Sequence, residues 1–103
     1  MCNKCDYTIH GRHHFGWDNS LVPAERVAPG STIEFQCVDS SGGQLTPEST
    51  VADVSTLDFA KINPVTGPIY VEGAEPGDAL KVTIESFKPS GFGWTANIPG
   101  FGL

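Results

Sequence analysis

Between Pro29 and Asp39 the chain alternates, with Ile33, Phe35 and Cys37 apolar and Thr32, Glu34 and Gln36 polar. A period of two residues belongs to a strand with one face in a core. The pattern predicts a strand over Thr32 to Val38, with Cys37 as a small buried hydrophobe. It returns downstream, where Pro76-Gly77-Asp78-Ala79-Leu80-Lys81-Val82-Thr83-Ile84 aligns position by position with Pro29 to Cys37. This predicts a second strand, from Leu80 to Phe87. The two copies fit equivalent arms of one sheet, or two separate Pro-Gly turns that each precede a strand. Ile69-Tyr70-Val71 reads as a third, short strand. Between them, Thr50-Val51-Ala52-Asp53 has the hydroxyl and carboxylate spacing of a capping box, predicting a short helix with Val51, Val54 and Leu57 facing inward. The expected fold is mainly β: a β-sandwich or barrel-like sheet with a short helix and long Gly/Pro-rich loops. Residues 1–12 are polar and read as an N-terminal arm outside the core, with Tyr7 to His10 available as an edge strand. Residues 13–103 form the β-rich domain.

Composition supports this picture. Twelve glycines and eight prolines in 103 residues favour turns over long helices. Six Lys and Arg against twelve Asp and Glu give a formal charge of −6, which disfavours nucleic acid, because phosphate binding needs a basic footprint. No apolar run is long enough to span a membrane. The N-terminus lacks the basic and apolar regions of a secretory signal, so the expected location is the cytoplasm. Three cysteines are an odd number. Cys2 and Cys5 read as incidental thiols of a reducing compartment, or as half of a zinc site whose other ligands are missing.

The candidate chemistry gathers where the first strand ends. Asp39 continues the odd-numbered face and is expected to point inward, where a carboxylate is costly unless paired, hydrogen-bonded or bound to a metal. Gly42, Gly43 and Gln44 follow. Their N–H groups and side-chain amide suit an oxyanion, and equally a hairpin turn. Upstream, His10, His13, His14 and Asp18 supply ligand types that suit zinc, and they also fit a solvated surface cluster. Asp18 or Asn19 fits a pocket role or an Asx turn before Pro23. Asn63 to Pro68 reads as a rigid structural loop. Gly91 to Leu103 reads as a Gly- and aromatic-rich loop in which Trp94 and Asn97 can wall a small pocket. No Gly-x-Ser-x-Gly elbow and no phosphate loop is present.

Six motifs occur in order: His-Phe-Gly-Trp-Asp-Asn-Ser (14–20), Pro-Gly (29–30), Asp-Ser-Ser-Gly-Gly-Gln-Leu-Thr-Pro (39–47), Asn-Pro-Val-Thr-Gly-Pro (63–68), Glu-Gly-Ala-Glu-Pro-Gly-Asp (72–78) and Gly-Phe-Gly-Trp-Thr-Ala-Asn-Ile-Pro-Gly-Phe-Gly-Leu (91–103). In these the chain resembles the acetamidase/formamidase family of hydrolases, from about His13 to its last residue. The resemblance implies hydrolysis of the carbon–nitrogen bond of short linear amides to carboxylate and ammonia. It points to activated water rather than a serine or cysteine nucleophile. The residues it singles out are Asp39, Asp18 and Gln44 for catalysis, Gly42, Gly43, Thr46, Trp94 and Asn97 for substrate, and His13, His14 and Asp39 for a divalent metal, zinc first. Family members continue past a position like Leu103 with further His, Asp and Glu. The chain is therefore expected to be an N-terminal portion, completed by a C-terminal part or partner chain, working as a homo-oligomer and nearly inactive alone. The competing reading is a non-catalytic truncated scaffold or a small-molecule or metal-binding module.

Overall fold

The computed structural model describes residues 2–101. The chain is built mainly of strand and loop, with one short α-helix and one 3₁₀ turn. Its strands are β1 (Tyr7–Ile9), β2 (His13–His14), β3 (Glu25–Val27), β4 (Ile33–Phe35), β5 (Val65–Thr66) and β6 (Ile69–Val71). They form three separate two-stranded ladders: β1 with β4 in parallel, β2 with β5 antiparallel, and β3 with β6 in parallel. No closed barrel is present among the described residues.

The arm is not outside the fold. Ile9, set apart with residues 1–12 in the sequence, is one of three buried apolar side chains among the described residues, with Val27 and Leu45. It is held there because β1 pairs with β4 in the register Tyr7↔Ile33 and Ile9↔Phe35. Asp6 Oδ2 also accepts the Thr32 N–H at 2.8 Å. Cys2 and Cys5 are joined in a disulfide at the head of this strand rather than standing as free thiols.

The first predicted strand is shorter than its apolar pattern. The β1–β4 ladder ends with the Gln36 N–H donating to Ile9 O. With no strand opposite it, Cys37 is exposed, contrary to the expected burial. Phe35 is also 42% exposed. The second alternating segment, Leu80 to Phe87, pairs with no described strand. Leu80, Val82, Ile84 and Phe87 are 69–83% exposed in consequence. Such an uncovered apolar row favours association. The 103-residue chain is therefore expected to self-associate in sedimentation velocity at micromolar concentration. Leu80→Lys with Ile84→Lys should return it to monomer without loss of stability; an unchanged sedimentation profile would show that this row does not drive association.

Helix α1 (Val51–Ser55) forms where the capping box predicts, with the Thr50 N–H donating to Asp53 Oδ2 at 2.7 Å. Its inward face is narrower than expected. Val54 and Leu57 are half-buried, whereas Val51 is 80% exposed. The helix is five residues long with none of them buried, so one side of it stays in solvent. The third predicted strand is found at its expected limits as β6, and Glu72 extends its ladder by donating its N–H to Val27 O. Arg26 joins the same ladder to the surface, stacking 4.1 Å over the Tyr70 ring.

Candidate functional site

The predicted site residues divide between two places. The first is the turn after β4, and its architecture is set by Asp39. Oδ2 accepts the Ser41 N–H at 3.1 Å, the Ser41 hydroxyl at 2.5 Å and the Trp94 indole N–H at 2.7 Å. Oδ1 accepts the Gly43 N–H at 2.9 Å. Burial raises the carboxyl pKa, but the donors from Ser41, Trp94 and Gly43 together outweigh it and bring Asp39 down to about 2. Asp39 is exposed rather than pointing inward, because the ladder has ended three residues before it, at Gln36, and the chain is already turning. The side chain that does enter the interior is Ser41, 1% exposed. Its hydroxyl donates to Asp39 and accepts the Leu45 N–H at 3.1 Å.

The rest of the turn is consumed in the same way. The Gly42 N–H donates to Asp39 O at 2.9 Å and the Gly43 N–H to the Asp39 carboxylate. The two N–H groups assigned to an oxyanion are therefore engaged within the turn. The Gln44 side chain acts as a stand-in strand partner: Nε2 donates to Asp58 O at 3.2 Å and to Ser41 O at 2.8 Å, while Oε1 accepts the Asp58 N–H at 2.8 Å. This amide ties residues 39–45 to the 3₁₀ turn Phe59–Lys61, so Gln44 serves the fold. Gly42, at φ +71°, lies so close to the Lys61 carbonyl oxygen that a Cβ there would overlap it. The Asn63 N–H completes the seam by donating to Ser40 O at 2.7 Å. Thr46 leads into α1, its hydroxyl accepting the Glu48 N–H and its own N–H donating to Ser49 Oγ. Asn97 is exposed and makes no side-chain hydrogen bond among the described residues.

Because the carboxyl of Asp39 lies below its ordinary value of 3.8 in the folded protein, its contribution to stability is complete above that value and is lost as pH falls toward about 2. Asp39→Asn is expected to be less stable than the native chain at pH 7 and to converge with it near pH 2. Urea unfolding midpoints across that range measure this; parallel pH curves would mean that the carboxylate charge does not hold the turn.

The second place is the segment His14-Phe15-Gly16-Trp17-Asp18. His14, Phe15, Trp17, Asp18 and Leu21 surround a concavity of about 470 Å³. A second concavity, about 500 Å³, shares Phe15 and Trp17 and continues along Phe59, Ile62, Asn63 and Val65. Asp39, Gln44, Thr46, Trp94 and Asn97 line neither. Asp18 Oδ1 accepts the Ser20 hydroxyl at 2.6 Å and the Ser20 N–H at 2.9 Å, an Asx turn. These bonds, the hydroxyl first, lower its pKa against a small opposing effect of burial, and nearby His14 adds to the lowering. The Asx turn and the pocket position, alternatives in the sequence, thus occur together.

β2 carries both His13 and His14, half-buried and opposite Thr66 and Val65 of β5. His13 Nε2 and His14 Nδ1 are buried without a hydrogen-bond partner among the described residues. Successive strand residues project to opposite faces, so the two imidazoles do not share one site. Asp39 adds no third ligand, since its Oδ2 already accepts three donors. No group of three or more His, Cys, Asp or Glu converges to hold a metal among the described residues. The set His13, His14 and Asp39 therefore does not fit a zinc ion within this chain. His10, from the same cluster, is turned away to Gln36.

The sequence did not single out Ser41, Phe15 or Phe59. Ser41 was legible as the second residue after Asp39, the spacing of an Asx turn. Phe59 gave no local signal, since its place beside Phe15 and Trp17 depends on the Gln44–Asp58 link.

A formamidase of Methylophilus methylotrophus is 38% identical over 82 residues, 80% of this chain and 20% of that protein. An acetamidase of Mycolicibacterium smegmatis is 38% identical over 76 residues, 74% of this chain and 19% of that protein. The crystal structure of an acetamidase from Bacillus halodurans is similar with a TM-score of 0.61 at 34% identity, over 69% of this chain and 24% of that one. The chain thus spans about a fifth of the length of the curated relatives it matches. The model of the Acetamidase/Formamidase family matches residues 3–103, taking in β1 as well as the motifs from His14 onward, and the chain belongs to that family.

Proposed function

We propose that the chain forms part of the site of a hydrolase that cleaves the carbon–nitrogen bond of short linear amides, and that the His14–Asp18 segment is its contribution. The observation that carries this reading is the juxtaposition of His14 and Asp18 on one concavity, with the Asp18 carboxylate fixed by Ser20.

An amide is a poor electrophile, so its hydrolysis needs a positioned base for water and a held carbonyl. His14 is the candidate base. Asp18, fixed by Ser20, stands on the same concavity, where its negative charge faces the positive charge that develops as water is deprotonated. Asp39 is a poor base because its pKa is so low. In this reading Asp39, Gln44 and Trp94 hold the loops that position Asn63 and Phe59. A divalent ion would need donors beyond His14, and no step is assigned to one. Further protein from a chain of the relatives' length, or a second copy, covers Leu80 to Phe87 and completes the site.

Ammonia release from formamide and acetamide, with ethyl acetate as a carbon–oxygen control, tests the reaction class. Amide cleavage without ester cleavage is the expected result. Ester cleavage alone, or no release from either amide by a protein of the relatives' length that carries this chain, would overturn the proposal.

A further inference from the structure

We propose that Cys2 and Cys5 form a reversible thiol–disulfide exchange site, whose reaction partner is a dithiol and whose closed form holds β1 on β4. The two cysteines are bonded across a separation of three residues, with Cα atoms 5.5 Å apart. Both are only half-buried, and Asn3 and Lys4 between them are exposed, so the loop is open to a thiol from solvent. No group of three metal-ligating side chains forms around them among the described residues, which makes the pair a redox couple rather than half of a metal site. Cys37 stands past the far end of the β1–β4 ladder, where Ile9 pairs with Phe35, and takes no part in the exchange.

The disulfide leads directly into the bonds that begin the ladder. Asp6, next to Cys5, donates its N–H to Thr32 O at 2.8 Å, and the Tyr7 N–H donates to the same oxygen at 3.3 Å. The Asp6 carboxylate accepts the Thr32 N–H in return, at 2.8 Å. A two-stranded ladder of this length is marginal by itself, and chain ends fray. The closed loop removes conformations in which Asp6 and Tyr7 leave Thr32, shifting that local equilibrium by about tenfold for so short a ring. In the exchange, one thiolate of the dithiol attacks a sulfur of the Cys2–Cys5 bond, giving a mixed disulfide and releasing the other cysteine as a thiolate that takes up a proton. The second thiol of the dithiol then loses its proton to solvent and displaces the remaining cysteine. Two electrons and two protons pass to the cysteines, and the dithiol leaves as its own disulfide. The oxidised form of the dithiol runs both steps in reverse.

The 103-residue chain carrying Cys37→Ser, equilibrated with reduced or oxidised dithiothreitol, provides the test without any turnover. Alkylation should find two thiols per chain in the reduced sample and none in the oxidised one. Amide hydrogen exchange then reads the ladder. The Thr32 N–H, held by Asp6, should exchange about tenfold faster after reduction and recover on reoxidation. The Gln36 N–H, bonded to Ile9 O at the far end, should change less, because Ile9 is buried and anchors that end. The Glu72 N–H, bonded to Val27 O in the separate β3–β6 ladder, should not change. Cys5→Ser on the same background should show the fast Thr32 exchange with either reagent. Thiols that persist in oxidised dithiothreitol, or a loss of the disulfide that reoxidation does not restore, would overturn the exchange site. Equal Thr32 exchange in the two states, or equal acceleration at Thr32 and Glu72, would overturn its hold on β1.

Discussion

Gly42→Ala is expected to destabilise the chain by about 2–4 kcal/mol, lowering Tm by roughly 10 °C or more for a domain of this size. Two costs combine at this position. A side chain at φ +71° is strained, and its Cβ would overlap the Lys61 carbonyl oxygen, which belongs to backbone and cannot swing aside. To accommodate it, the turn after β4 must separate from the Phe59–Lys61 turn, breaking the Gln44–Asp58 and Asn63–Ser40 hydrogen bonds. Gly43 supplies the internal control. It has a similar φ of +81° but open space where a Cβ would stand, so Gly43→Ala should cost only about 1 kcal/mol. Urea denaturation of both variants measures the difference; equal losses would show that close packing against Lys61 is unimportant.

The largest functional effect is expected at His14. If its imidazole is the base for water, His14→Ala should lower amide turnover by about 10²–10⁴-fold with far less change in stability, since the side chain is only half-buried. His10→Ala supplies the comparison, because His10 faces Gln36 and should leave turnover near the native level. Steady-state ammonia release by the two variants, in a protein of the relatives' length that carries this chain, decides between them. Equal effects would mean that the imidazoles act only through the fold.

The sequence revealed its elements wherever the signal was local. The capping box at Thr50 and Asp53 became the helix it predicts, since it depends on neighbours within a few residues, and the short run at Ile69 to Val71 became a strand because distant β3 lies beside it. Alternation was a weaker guide. Ile33, Phe35 and Cys37 share a pattern with Leu80, Val82 and Ile84, yet only the first segment meets a partner, because β1 happens to lie beside it. Periodicity states which face is apolar and cannot state whether a ladder exists to cover it. The candidate site was legible as motifs, whereas its hydrogen bonding was not. Asp39, Gly42, Gly43 and Gln44 carry the residue types of an oxyanion site, but their donors and acceptors close on one another and on Asp58. That closure depends on a contact fourteen residues away, beyond what a turn motif encodes.

In the proposed function, chemistry belongs to the His14–Asp18 concavity and architecture to Asp39. The most direct measurement compares Asp18→Asn with Asp39→Asn in a protein of the relatives' length that carries this chain, following ammonia release from acetamide per folded molecule, with folding assessed by circular dichroism. Asp18→Asn is expected to lose turnover while remaining folded. Asp39→Asn should unfold more readily yet keep near-native turnover in its folded fraction. A folded Asp39→Asn protein without activity, beside an active Asp18→Asn protein, would contradict that assignment.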